Sequence, residues 1–121
     1  MSKAKVILCI DDDAMGLGIR ETLLESAGYR VLSATNGKDG LHLMETEAVD
    51  CVLLDYLMPD MNGRDVAAEL KRSHPDVPII LYSSVTQFPR EVREMVNACL
   101  MKLDGPEKLL ATLERHCLSP A

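Results

Sequence analysis

Three carboxylates in a row, Asp11, Asp12 and Asp13, follow the apolar run VILCI at 6–10. A fourth, Asp55, follows the apolar run DCVLL at 50–54 and is separated by three residues from the turn-forming stretch PDMNG at 59–63. Ser83 and Ser84 end VPIILYSS, and Lys102 follows ACLM at 98–101. If these runs lie side by side, their ends crowd the carboxylates together. Like charges repel, so such a group must protonate or share a cation. A hard divalent ion with oxygen ligands answers this, and Mg²⁺ is the usual ion where a phosphoryl group is handled. A carboxylate can act as a nucleophile toward phosphorus and form an acyl phosphate. That transfer needs little acid–base help but much charge neutralisation on the phosphoryl oxygens. A metal, a Lys ammonium and a Ser hydroxyl would supply it.

The elements that must position these groups alternate along the chain. Strand-like runs at 6–10, 29–34, 50–54, 77–84 and 98–101 are separated by stretches with helical spacing. Helical faces are expected at Ile19, Leu23, Leu24 and Ala27; at Leu41, Met44 and Ala48; and at Val66, Ala67 and Leu70. The last two are expected at Val92, Met95 and Val96, and at Leu109, Leu110 and Leu113. Gly28 reads as a helix C-terminal cap, Asp13 as an N-cap, and Asp60 or Asn62 as the cap after the loop. Strands alternating with helices predict an α/β fold with a doubly wound parallel sheet of five strands and five helices. Such sheets carry ligand sites at the carboxyl ends of their strands.

Composition narrows the class. A chain of 121 residues, 47% hydrophobic, fits one domain with a proper core. The net charge of −6 argues against direct nucleic-acid binding. No run reaches membrane-span length, and the N-terminus shows no signal-peptide pattern, which points to a cytoplasmic protein without a membrane partner. Cys9, Cys51, Cys99 and Cys117 lack metal-ligand spacing and are expected to be buried free thiols, since disulfides are rare in that compartment.

The motifs VILCIDDD, VDCVLLDYLMPDMNG, VPIILYSS and LMKLDGPEKLL, in that order, resemble the receiver domain of two-component response regulators over nearly the whole chain. The resemblance implies a flavodoxin-like sheet with strand order 2-1-3-4-5 and a single receiver domain over 1–121. It implies Asp55 as phosphoacceptor, with Mg²⁺ held by Asp12, Asp55 and the backbone carbonyl of Leu57, and by Asp11 through water. Ser83 would bond a phosphoryl oxygen and Lys102 would neutralise its charge. The partners implied are a sensor histidine kinase or a phosphotransfer protein, and a downstream protein. A weak homodimer through the fourth helix and last strand and helix is common in the family.

Three departures stand out. Leu103 follows Lys102 where the family has Pro, and a trans bond is expected because cis costs about 2.5–4 kcal/mol before a residue other than Pro. Cys99 occupies the place of the family's switch aromatic. Ser83 to Lys102 spans 19 positions, about three fewer than usual, so the fourth helix or its loop is expected to be short, which weighs against the homodimer. Leu57 and Val85 are apolar where the family admits hydrolytic water, which would slow loss of the phosphoryl group. Tyr82 and Phe88 read as packing residues. Two other functions compete. One is a phosphate-independent pseudo-receiver adaptor, which Cys99 and Leu103 favour. The other is a haloacid-dehalogenase-like phosphatase with Asp11 and Asp13, which Met15 and the absence of room for a cap domain disfavour.

Overall fold

The computed structural model describes residues 4–85 and 87–117. Five strands, β1 Val6–Ile10, β2 Arg30–Ala34, β3 Cys51–Leu54, β4 Ile79–Ser83 and β5 Ala98–Met101, form one parallel sheet in the order β2-β1-β3-β4-β5. Helices α1 Ala14–Ser26, α2 Gly37–Thr46, α3 Gly63–Ser73, α4 Arg90–Met95 and α5 Pro106–His116 cover both faces. The doubly wound architecture is the one expected from the alternation.

β1 and β3 are apolar throughout because both of their faces are covered. Leu8, Ile10, Val52, Leu54 and Leu81 point into one cluster with Val66, Leu70 and Val92 of α3 and α4. Ile7, Cys9, Leu53 and Ile80 point into the other, with Leu24 of α1 and Leu109 and Leu113 of α5. Each such fully buried Leu or Ile contributes about 1.5–3 kcal/mol. Two buried central strands therefore fix where their last residues, and the polar groups just beyond them, must stand.

Leu41 and Met44 of α2 pack inward as expected, though Ala48 lies beyond that helix and is exposed; the face of α1 needs correcting. On α1 the buried residues are Leu17, Arg20 and Leu24, while Ile19 is 69% exposed and Ala27 is exposed. The helix is turned from the face its apolar residues suggest, because Arg20 takes an inward place. Gly28 follows the last turn of α1 with φ +98°, a conformation glycine adopts without strain. Asn62 rather than Asp60 caps α3, its side chain accepting from the Asp65 N–H. Asp13 stands at the N-cap of α1 but its side chain makes no cap bond; its own N–H donates to Asp11 Oδ1 at 2.9 Å.

The cysteines bring a second correction. Cys9 and Cys99 are free, but Cys51 and Cys117 are joined in a disulfide across 66 positions, with Cα atoms 5.8 Å apart. The inward stripe of α5 (Leu109, Leu113) continues to Cys117 just past its last turn and lays it against Cys51 of β3. Nothing in the linear spacing marks that encounter.

Candidate functional site

The carboxyl ends of β1, β3, β4 and β5 converge. Asp11 and Asp55 follow β1 and β3 directly and are 1% and 6% exposed. The Asp55 N–H is paired to the Ile10 carbonyl, so the strand ladder continues into the site itself. Asp12 is exposed beside them, and Ser83, fully buried, ends β4. One carboxylate oxygen from each of Asp11, Asp12 and Asp55 lies within 4.8 Å of the others.

The loop after Asp55 is held close. The Gly63 N–H donates to the Tyr56 carbonyl at 2.7 Å, and a Cβ at Gly63 would lie 2.6 Å from the Asp55 carbonyl oxygen. Only glycine lets α3 start this near the strand end. Leu57 lies in that loop with its side chain 56% exposed, and Met58 beneath it is buried. Phe88 packs edge-on against Tyr56, ring centroids 5.4 Å apart.

Lys102 reaches in from the end of β5. Its ammonium lies 2.6 Å from Asp11 Oδ2 and 3.9 Å from Asp55 Oδ2. Among the described residues no peptide bond is cis, so Lys102–Leu103 is trans. Residues Lys102–Asp104 instead form one 3₁₀ turn, closed by the Met101 N–H donating to Asp104 Oδ2 at 2.9 Å, and Gly105 follows at φ +91°. That turn follows β5 directly and leaves Leu103 89% exposed.

Electrostatics follow from this crowding. Burial first, then the neighbouring Asp11 and, more weakly, Asp12, push the Asp55 carboxyl above the usual carboxylate range; the Lys102 ammonium and the Ser83 hydroxyl pull against them. Asp11 Oδ2 is buried and accepts no well-formed hydrogen bond, though two cations stand near it. An all-oxygen donor set of three carboxylates with one under-satisfied oxygen suits a hard divalent cation, and Mg²⁺ fits it better than a softer metal.

A residue that the spacing did not single out also enters. Arg20 NH1 lies 3.3 Å from Asp11 Oδ2, and its guanidinium carbon sits 4.8 Å from the Tyr82 ring centroid. The signal was present as an Arg in helical register with Leu17 and Leu24. Tyr82 is therefore the seat of a buried cation as well as a packing residue. At the position expected for a switch aromatic, Cys99 lines an open groove of about 520 Å³ with Phe88, Arg93, Met101 and Lys108, beside the six-residue α4.

The chain was compared with known proteins. The family model for the response regulator receiver domain matches residues 7–114. A curated relative, the response regulator SaeR of Staphylococcus aureus, is 36% identical over 81 residues, 67% of this chain and 35% of its own length. The chain thus spans about a third of the curated relatives it matches. Among solved structures, a CheY-like receiver domain protein from Methanospirillum hungatei JF-1 superposes with a TM-score of 0.87 at 27% identity, covering 95% of this chain and 94% of that one. The response regulator TrrA from Thermotoga maritima, in complex with Mg(2+)-BeF, gives 0.88 at 25% identity, covering 92% and 97%. With the strand order, the acidic cluster and the matched residues in agreement, the chain belongs to the response regulator receiver domain family.

Proposed function

We propose that the chain is a working phosphoacceptor, a single receiver domain over 1–121 that takes a phosphoryl group onto Asp55. The observation that carries this is the site itself: a buried nucleophilic carboxylate, two more carboxylates within 4.8 Å and an ammonium 3.9 Å away. An Asp55 oxygen attacks phosphorus, and the bond from phosphorus to the donor's imidazole nitrogen breaks, its electron pair staying on that nitrogen. Lys102 neutralises the transferred oxygens, and the Ser83 hydroxyl donates to one of them. Asp11, Asp12, Asp55 and the Leu57 carbonyl would hold Mg²⁺, which supplies positive charge on the remaining side. The Mg(2+)-BeF complex of the Thermotoga relative supports that assignment.

The donor would be a sensor histidine kinase or a phosphotransfer protein, met in the cytoplasm. Among the described residues no helix is long and apolar enough to cross a membrane. The output would be a change of shape read by a downstream protein. It would pass without the aromatic rotation of the family, since Cys99 has no ring to move.

The test is intact-mass measurement after incubation with Mg²⁺ and acetyl phosphate, with Asp55→Asn alongside. A phosphoryl adduct that needs both the metal and Asp55 is the expected result. No adduct, with Mg²⁺ still bound, would replace this reading with the phosphate-independent adaptor. Labelling at Asp11 instead would point to a phosphatase of the haloacid-dehalogenase kind.

A further inference from the structure

We propose that Arg20 is a positioning residue for this phosphoryl transfer: a built-in counter-cation that keeps Asp11 paired when Lys102 turns to the phosphoryl group on Asp55. The proposal rests on the phosphoacceptor reading, none of whose steps uses Arg20.

Arg20 stands where an apolar residue would pack. It shares the inward stripe of α1 with Leu17 and Leu24 and is 7% exposed. A guanidinium in such a place is costly unless its charge and its donors are matched. The match is directional. One side meets Asp11 at 3.3 Å, and its plane lies over Tyr82, the residue before Ser83 on β4. Arg20 is thereby pinned between the ends of two strands that build the site, and it has little freedom to leave.

Asp11 consequently has two cationic partners on one oxygen, and Asp55 has a distant one. A phosphoryl group on Asp55 brings new anionic oxygens within reach of Lys102, whose ammonium needs to travel only the last ångström or so to meet them. In a site with Lys102 alone, that movement would take from Asp11 its only side-chain cation and leave it only a share in the metal ion it would hold with Asp12 and Asp55, which opposes the movement. With Arg20 held in place by Tyr82, Asp11 keeps a side-chain cation throughout. Arg20 therefore makes Lys102 available. The same positive charge also competes with any divalent cation for Asp11, so the resting site binds Mg²⁺ more weakly than three carboxylates otherwise would.

These two effects have opposite signs, which separates them from a structural role. Arg20→Met keeps length and removes charge. It is expected to tighten Mg²⁺ binding to the unphosphorylated protein by roughly 3–10-fold, read by titration calorimetry. It is also expected to slow Asp55 labelling by acetyl phosphate at saturating Mg²⁺ by roughly 10-fold. Arg20→Lys should restore both toward wild type. Tyr82→Leu keeps every charge but removes the ring under the guanidinium, and should slow labelling by roughly 2–5-fold with Mg²⁺ affinity unchanged; it serves where Arg20→Met does not fold. Unchanged labelling in Arg20→Met or Tyr82→Leu, unchanged Mg²⁺ binding in Arg20→Met, or Mg²⁺ binding and labelling moving in the same direction in Arg20→Met, would overturn the proposal. An adduct on the wild type with no effect of Arg20→Met defeats this role alone. No adduct on the wild type defeats the phosphoacceptor reading and this role with it.

Discussion

Lys102 Nζ lies 2.6 Å from Asp11 Oδ2, closer than to the proposed phosphoacceptor. The resting ammonium is parked on the neighbouring carboxylate rather than on Asp55. Its later role depends on a short move rather than on building a new interaction.

Lys102→Ala should therefore slow phosphorylation of Asp55 by about 10²–10³-fold, the usual cost of removing one group that stabilises developing charge. Mg²⁺ binding should persist, because the carboxylates remain and a competing cation is gone. Intact-mass time courses and calorimetry read the two quantities separately. A labelling rate equal to wild type would remove Lys102 from the mechanism.

Asp55→Asn should stabilise the metal-free protein near neutral pH. Burial and Asp11 disfavour the charged form of Asp55 in the folded state, so its pKa is raised on folding. A raised carboxyl means the folded state holds its proton more firmly than the unfolded state does. Stability is then lost as pH rises above the unfolded pKa, and the Asn variant should not show this loss. Thermal melts in EDTA across pH 3–8 check it, the window bracketing the ordinary carboxylate range. Parallel melting curves for the two proteins would refute the assignment.

Gly63→Ala should cost about 1–3 kcal/mol and should also impair labelling of Asp55. The added methyl would meet backbone atoms, the Asp55 carbonyl oxygen and Tyr56 Cα at 2.7 Å, which cannot swing aside as a flexible side chain can. Chemical denaturation gives the stability, and the adduct yield reports whether the strand end has shifted. A variant as stable and as active as wild type would show that the loop relaxes freely.

The Cys51–Cys117 link closes a loop of 66 positions, and such links typically contribute about 2–4 kcal/mol. Dithiothreitol should lower wild-type stability by about that amount and leave Cys117→Ser unaffected. Cys9 provides an internal control: burial pushes its thiol up to about 12, so it should resist alkylation in the native protein. Equal denaturation midpoints with and without reductant would show that the two thiols are merely neighbours.

The fold and the chemical groups of the site were legible in the linear chain because both are encoded locally. An apolar run of four or five residues can sit in a two-sided parallel sheet, and the polar residue that ends it must emerge at the strand's carboxyl end. Asp11, Asp55, Ser83 and Lys102 were read in this way, and the folded chain brings all four together. A short segment between Ser83 and Lys102, in the helix or its loop, and the trans bond before Leu103 were legible too, one from a count of positions and the other from the cost of the cis form; the six residues of α4 agree with the first.

Contacts between distant segments were settled only by the assembled molecule. Periodicity alone favoured Ile19 for the inner face of α1. Arg20 took that place instead, since a charge 3.3 Å from Asp11 and over the Tyr82 ring outweighs the burial of one aliphatic side chain. Cys51 and Cys117 were two apolar thiols in the sequence and became partners only when α5 lay down on β3. The choice of Lys102 between Asp11 and Asp55 is likewise a difference of 1.3 Å between two carboxylates, 2.6 Å against 3.9 Å, decided by where a 3₁₀ turn ends β5. Local pattern determines which residues reach a site; competition among partners that meet only in three dimensions determines what each one holds.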